Sequence, residues 1–268
     1  KIGIIGGGVN GMSCAWELAK AGHSVSIFES NNIISKTSSA SSKLLHGGLR
    51  YLENYEFRLV REALKERDEW VDRTPELATP MRLIMPLYKE SKRGKYYIGA
   101  GLFLYDNLIG RSKLPKSKWL SAEKILQKEK NFKAENLVGG YEFSDAQMDD
   151  YALGIWIAEQ AKKAGATIHE NSHANSVDTE GNIFLDGKKV NFDIVVNSTG
   201  PWANKLLEIS NIETPFILDI VKGSHLIVDY KCTQAFLLEV PNEKRIFFVL
   251  PWKSNTLIGT TEIRQNID

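Results

Sequence analysis

The stretch KIGIIGGGVNGMSCAWELAKAGHSVSIFES, residues 1–30, decides the fold. Ile2 to Ile5 form a short apolar run, and a glycine cluster then leads into Val9, Met12, Ala15, Trp16 and Ala19 at helical spacing. Gly22 closes that helix, and Ser24 to Phe28 read as a second strand ending at Glu29. The thirty residues therefore predict one βαβ unit with a parallel, buried sheet. Gly6, Gly8 and Gly11, with Asn10 in the same turn, make G-x-G-x-x-G between the strand and the helix. There a tight turn and a close backbone approach let a pyrophosphate sit at the positive end of the helix. Glu29, at the strand end, is placed to accept from both ribose hydroxyls of a dinucleotide, and its charge disfavours a 2′-phosphate. The alternative is a glycine-rich turn that only packs a helix on a sheet.

Working outward, 268 residues give one large domain or two modest ones. Lys+Arg 34 against Asp+Glu 33 leaves a net charge of +1, which offers no field for nucleic acid. No apolar run is long enough to span a bilayer. Cys14 and Cys232 lack ligand spacing and read as core thiols in a reducing compartment, and no metal site emerges. Lys1 to Ile5 read as a strand rather than a signal peptide, and with no initiator methionine before them the chain is expected to have been cut at its start.

Further along, Ser35 to Ser42 (SKTSSASS) is a loop of small hydroxyls, Phe57 to Val71 a charged amphipathic helix, and Met81 to Leu87 a strand at a domain crossover. The basic run with Lys89, Lys92, Arg93 and Lys95, next to Tyr96, Tyr97, Ile98, Leu102 and Phe103, resembles an interfacial membrane element; a core helix with a solvated end is the alternative. A polar stretch from Arg111 to Asn136 holds a short helix begun near Ser121. Tyr141 to Phe143 precede a helix from Asp149 to Ala164, opened by Asp149 and Asp150 with one as its cap. Phe192 to Val196 read as a continuous buried strand, and Phe216 to Thr261 alternate like antiparallel strands. The strand from Asp193 to Val196, running into Ser198, Thr199, Gly200, Pro201 and Trp202, resembles the second FAD contact strand of the flavoproteins with two dinucleotide-binding domains. An ordinary strand followed by a helix begun at Pro201 is the alternative. No second G-x-G-x-x-G is present, so no separate NAD site is expected.

TSSASSKLLHGGLRYLE (Thr37 to Glu53) resembles the flavin-proximal signature of the FAD-dependent, aerobic, membrane-associated glycerol-3-phosphate dehydrogenases. YEFRLVREAL (Tyr55 to Leu64), FSDAQMDD (Phe143 to Asp150), STGPWA (Ser198 to Ala203), VKGSHLIV (Val221 to Val228) and RIFFVLPW with IGTTE (Arg245 to Glu262) agree with that family in order. The resemblance implies an α/β fold, a Rossmann-like FAD-binding domain of the glycine/D-amino-acid oxidase kind interleaved with an α+β antiparallel-sheet substrate domain. The expected division is 1–80 and 144–215 for FAD, and 81–143 and 216–268 for substrate. The match corresponds to the family's first half. Its later arginine-bearing strand, last FAD-contacting turn and helical C-terminal domain have no counterpart, so a C-terminally truncated substrate domain with weak or no turnover is expected.

On that resemblance FAD is held by Gly6, Gly8, Asn10, Gly11, Glu29, Ala174, Thr199, Gly200 and Trp202. Thr37, Ser38, Ser39, Ser41 and Ser42 wrap the flavin phosphate and ring edge, with a solvated linker as the alternative; Lys43 lies near the flavin or is a surface lysine. Gly47 and Gly48 pass under the ring beside His46. Arg50 offers a two-pronged donor to a substrate phosphate, helped by Tyr51, while Lys222 and Thr260 complete the substrate set. His225, ahead of His46, is the candidate base for the substrate hydroxyl, a structural histidine being the alternative for each. His23, His169 and His173 read as surface or local partners.

The expected reaction is oxidation of glycerol 3-phosphate to dihydroxyacetone phosphate, with electrons passed to a quinone or to oxygen. The expected location is cytoplasmic and peripheral on the inner membrane's cytoplasmic face, and the expected partners include neither nucleic acid nor metal, with a homodimer left open. Two rivals stand beside this reading: an amine or amino-acid oxidase of the same fold, and a flavin-binding protein that has lost catalysis.

Overall fold

A computed structural model describes residues 1–110, 112–240, 243 and 245–265. Arg111, which opens the expected polar stretch, and residues 266–268 of the expected substrate domain lie outside the described residues. The chain runs β1 (Ile2–Ile5), α1 (Val9–Lys20), β2 (Val25–Phe28), β3 (Leu44–Leu45), α2 (Phe57–Arg73), β4 (Ala78–Tyr88), α3 (Lys95–Asn107), β5 (Lys118–Ser121) and α4 (Ala122–Lys128). It continues through β6 (Leu137–Met148), α5 (Asp150–Lys163), β7 (Thr167–His169), β8 (Ala174–Val177), β9 (Asn182–Leu185), β10 (Lys188–Asn191), β11 (Ile194–Asn197) and α6 (Ala203–Ile209). The last elements are β12 (Val221–Lys222), β13 (His225–Val228), β14 (Ala235–Glu239), β15 (Ile246–Trp252), β16 (Asn255–Gly259) and β17 (Ile263–Arg264).

Two compact units emerge: 1–41, 149–221 and 264–268 form the first, 42–148 and 222–263 the second. The expected boundary at residue 80 therefore moves back to 41. The reason is local pairing: β3 takes its register from β6, Leu44 opposite Gln147, and Val60 and Leu64 of α2 pack on Tyr105 of α3. These contacts draw 42–80 into the second unit.

The first unit is built on a parallel sheet of order β11-β1-β2-β7, the order a right-handed βαβ winding produces. α1 and α5 pack together, with Trp16 and Trp156 edge to face at 5.6 Å. The Asp149 carboxylate caps α5 by accepting from the Ala152 N–H at 3.1 Å, and Lys162 and Lys163 sit in its last turn against the negative helix end. A second sheet, β10-β9-β8, contributes Ile183 to a core shared with Phe28, Phe192 and Leu206.

Two expectations change here. The stretch expected as a continuous buried strand is shorter and lies at the sheet edge: β11 begins at Ile194, which is 57% exposed, while Phe192 leaves the strand to pack on Gly3. Cys14 is only half-buried on α1, whereas Cys232 is in the core.

The second unit carries a mixed sheet of order β13-β16-β15-β14-β4-β6-β3, with β5 on β6 and one parallel pair, β14 with β4. Tyr141 to Phe143 turn out to be the middle of the twelve-residue strand β6, which pairs along β4. Its core joins Leu83, Met85, Phe143, Leu237, Leu250 and Leu257 to Ile98 and Leu102 of α3. Ile98 and Leu102, for which a membrane interface and a core helix were both open, are therefore core residues, because they share the inward face of α3 with Tyr105. Tyr96, Tyr97 and Phe103 remain exposed on the same helix. Arg93 is engaged by Glu53 and Glu239, and Lys95 lies over the Trp119 ring.

Candidate flavin and substrate sites

In the first unit the carboxyl ends of β1, β2 and β11 converge on the glycine turn, where a parallel sheet offers its ligand crevice. A Cβ on Gly6 would lie 2.3 Å from the Ser198 carbonyl oxygen, and one on Gly11 2.0 Å from the Gly6 oxygen. Only glycine permits this approach, and it brings the turn against Ser198 and Thr199, as the two sequence signatures require. Gly8 precedes α1, whose first turn holds no acidic residue. The Val9 N–H there donates to Ser38 Oγ at 2.9 Å, so the serine loop is brought to the helix's positive end.

Glu29 stands at the end of β2 and turns its carboxylate toward the glycine turn. Its Oε2 accepts from the Gly7 N–H at 2.6 Å and its Oε1 from the Asn31 N–H at 2.9 Å. Each oxygen keeps acceptor capacity, so the carboxylate is fixed in place without being used up. A cradle that only glycines allow, a helix start without acid and a pinned carboxylate fit a dinucleotide such as FAD.

The other predicted residues of this unit divide. Thr199 is held by Asn197, which accepts from its hydroxyl at 2.7 Å and its N–H at 3.2 Å; Gly200 follows with a φ of 59°, and Trp202 is exposed. Ala174 is buried in β8. Thr37 to Ser39 form a short 3-10 turn, with the Ser39 hydroxyl donating to the Lys36 carbonyl. Ser41 is tied down: its N–H and hydroxyl both donate to Asp150, at 3.0 and 2.7 Å. Asn10 is exposed on the first turn of α1. His23 and His173 are exposed, and His169 stacks on Phe28.

In the second unit the loop from Ser42 to Tyr51 gathers most of the remaining candidates. Ser42 Oγ lies 2.8 Å from His225 Nε2. His225 opens β13 opposite Gly259 of β16, and its ring lies so close that a Cβ on Gly259 would sit 2.6 Å from His225 Cδ2. The cross-strand glycine is thus the seat of the imidazole. Lys43, at a φ of 59°, accepts from the Met148 N–H through its carbonyl and places its ammonium 5.5 Å from the Trp252 ring centre.

Gly47 and Gly48 are buried between exposed neighbours, His46 and Arg50. Gly48 takes a φ of 73°, and the Tyr51 ring covers it. Among the described residues no carboxylate pairs with the Arg50 guanidinium, which leaves its planar fork available to an anion. Thr260 spends its hydroxyl on the Thr261 carbonyl at 2.9 Å, and Lys222 is exposed on β12.

Sequence reading missed the groups beneath this loop. The Gly47 N–H donates to Tyr105 Oη at 2.8 Å and to Asp145 Oδ1 at 3.1 Å, and Arg67 donates to Asp145 at 3.0 Å. Neither Arg67 nor Asp145 was singled out; the available signal was that each falls among apolar residues facing inward, Arg67 three residues after Leu64 and Asp145 two after Phe143. Among the described residues no cluster of His, Cys, Asp and Glu is arranged to hold a metal ion, and no helix is long and apolar enough to cross a membrane.

Residues 1–268 match the family described as FAD dependent oxidoreductase. The chain is 37% identical over 279 residues to the aerobic glycerol-3-phosphate dehydrogenase of Escherichia coli, covering 99% of this chain and 54% of that protein. It is 38% identical to the glycerol-3-phosphate dehydrogenase of Pseudomonas tolaasii, covering 97% and 52%. It therefore spans about half the length of the curated relatives it matches. Among solved structures, the Bacillus halodurans glycerol-3-phosphate dehydrogenase complexed with FAD superposes with a TM-score of 0.79 at 25% identity, covering all of this chain and 48% of that one. Glycine oxidase from Geobacillus kaustophilus, at a TM-score of 0.71 and 24% identity, shares the fold over the whole chain and 72% of its own length. With its glycine cradle, its pinned carboxylate and this match along its length, the chain belongs to the FAD dependent oxidoreductase family.

Proposed function

We propose that this chain binds FAD and carries the recognition residues for oxidation of sn-glycerol 3-phosphate to dihydroxyacetone phosphate. The observation that carries the reading is the Ser42 to Tyr51 loop, which presents an Arg50 without a carboxylate partner among the described residues and holds the His225 imidazole at 2.8 Å through Ser42. The 37% and 38% identities to glycerol-3-phosphate dehydrogenases support it.

When bound, FAD supplies the acceptor for the hydride of the carbinol carbon. Gly6, Gly8 and Gly11 admit the pyrophosphate backbone, Ser38 and the first turn of α1 face its charge, and Glu29 accepts from the ribose. Arg50 holds the substrate phosphate through two parallel N–H donors, with Tyr51 beside it. A lone pair on the His225 ring receives the hydroxyl proton, and Ser42 fixes the direction in which the ring faces. Lys222 lends positive charge to the same anion, and His46 orients the cofactor.

The electron acceptor in this reading is a quinone or oxygen. The exposed Tyr96, Tyr97 and Phe103, with Lys89 and Lys92 near them, support peripheral contact with the cytoplasmic face of a membrane. A homodimer is compatible with this reading.

The test is bleaching of bound flavin without oxygen. Glycerol 3-phosphate should bleach it and glycine should not. Bleaching by glycine alone would assign the chain to the amino-acid oxidases, and a flavin that neither compound reduces would leave a binding protein without catalysis.

A further inference from the structure

We propose that Tyr105, backed by Asp145 and Arg67, is a positioning residue that sets the His46 to Arg50 loop for cofactor and substrate; this rests on the reading of that loop given above. Gly47 is the point of attachment. Its N–H is shared between Tyr105 Oη at 2.8 Å and Asp145 Oδ1 at 3.1 Å, while the Tyr105 hydroxyl donates to the same carboxylate oxygen at 2.7 Å. Arg67 closes the array from α2, donating to Asp145 Oδ1 at 3.0 Å and to the Ser144 carbonyl at 3.2 Å, with Asp68 on its Nε at 3.0 Å.

Three features make this array a device for holding the loop. First, it is dry: Tyr105 is 2% exposed, Arg67 3% and Asp145 5%, so each hydrogen bond acts without competition from water. Second, the phenol stays protonated, because burial and then the neighbouring Asp145 carboxylate push its pKa well above the ordinary value; it therefore both accepts from Gly47 and donates to Asp145. Third, the attachment point is packed so closely that only glycine fits, since a Cβ there would meet Leu64 at 2.3 Å and Tyr105 Oη at 2.5 Å. Loop residues on either side, His46 and Arg50, are exposed. The buried array thus fixes the backbone from which two solvent-facing candidate side chains project, and a hinge-like drift of about 1 Å there would misplace both.

Tyr105→Phe removes only the hydroxyl and keeps the ring in its core cluster. Ile98→Val, on the same helix but in the main sheet core, is the control for a general loss of stability. Amide exchange read on the peptide spanning residues 44–51 should quicken about tenfold in Tyr105→Phe, the scale of one lost hydrogen bond, and stay at the parent rate in Ile98→Val. The dissociation constant for FAD should rise about three- to tenfold in Tyr105→Phe alone. Unchanged exchange in the loop, or equal loosening in both variants, overturns the proposal. So does a loosened loop with parental FAD affinity. A parent chain that takes up no FAD sinks the functional reading instead, and the exchange rates then still decide whether Tyr105 holds the loop.

Discussion

Ser42 Oγ and His225 Nε2 stand 2.8 Å apart, and Gly259 lies against the adjoining Cδ2–Cγ edge of the ring. A histidine held by a hydroxyl on one nitrogen and by a cross-strand glycine against its edge has one orientation to offer. His225→Ala should slow flavin reduction in single turnover by roughly 100- to 10,000-fold, the usual worth of a general base. Ser42→Ala, which leaves the ring but frees its direction, should cost less, about 10- to 100-fold. Stopped-flow reduction at saturating substrate measures both, and a His225→Ala protein reduced at the parental rate would pass the role to His46.

For Arg50 the discriminating change is lysine, which keeps the charge and loses the fork. Affinity for glycerol 3-phosphate should fall by roughly 1.5 to 3 kcal/mol, the range for a hydrogen bond to a charged group, while flavin content stays constant. Glycerol, without the phosphate, should respond little. Equal losses for the two compounds would place Arg50 in the fold or against the cofactor.

Glu29→Ala removes the carboxylate that fixes the Gly7 and Asn31 amides as well as the acceptor assigned to the ribose. Titration calorimetry on the deflavo protein should show FAD affinity weakened by roughly 1.5 to 3 kcal/mol. Glu29→Gln, which retains one acceptor oxygen, should recover part of it; affinity untouched by either change would remove Glu29 from the site.

Acid stability should depend on Glu142, a carboxylate buried in β6. Burial alone would raise its pKa, but hydrogen bonds from Lys118, Lys128 and Arg82 outweigh that and lower it from 4.5 to about 2. A group depressed in the folded state stabilises above its unfolded pKa and loses that contribution as pH falls toward the folded value. Glu142 should therefore contribute roughly 3 kcal/mol at neutral pH, declining between about 4.5 and 2. In Glu142→Gln the deficit against the parent, measured by urea unfolding, should be full at pH 7 and shrink toward pH 2. A deficit that does not vary with pH would refute the assignment.

The βαβ unit and its glycine turn were legible because their determinants are local: three glycines, one helix and two strands all fall within residues 1–30. Asp149 as a helix cap and Ser121 before α4 were readable for the same reason. β6 was not. Its Gly139 and Gly140 argue against a strand, and its Glu142, Ser144 and Asp145 argue against burial. They are buried because distant partners neutralise them, Arg82 and Lys118 for Glu142 and Arg67 for Asp145. The same non-locality hid the Tyr105 array, whose members come from α2, α3 and β6. Ile98 and Leu102 left two readings open, since an apolar helix with a basic approach has one composition whether its face meets lipid or a sheet.

The edge position of β11 has a consequence for assembly. Among the described residues its outer backbone amides and carbonyls meet no strand, and the Ile194 side chain is exposed. Among the described residues β13 ends the mixed sheet of the second unit in the same way, with Leu226 67% and Ile227 62% exposed. A sheet that stops on an unpaired strand is a template: a further strand can be laid on it without breaking any hydrogen bond already made. Both sheets are therefore open-ended in the growth sense, able to lengthen by accretion at one margin while the glycine cradle and the Ser42 to Tyr51 loop stay as they are.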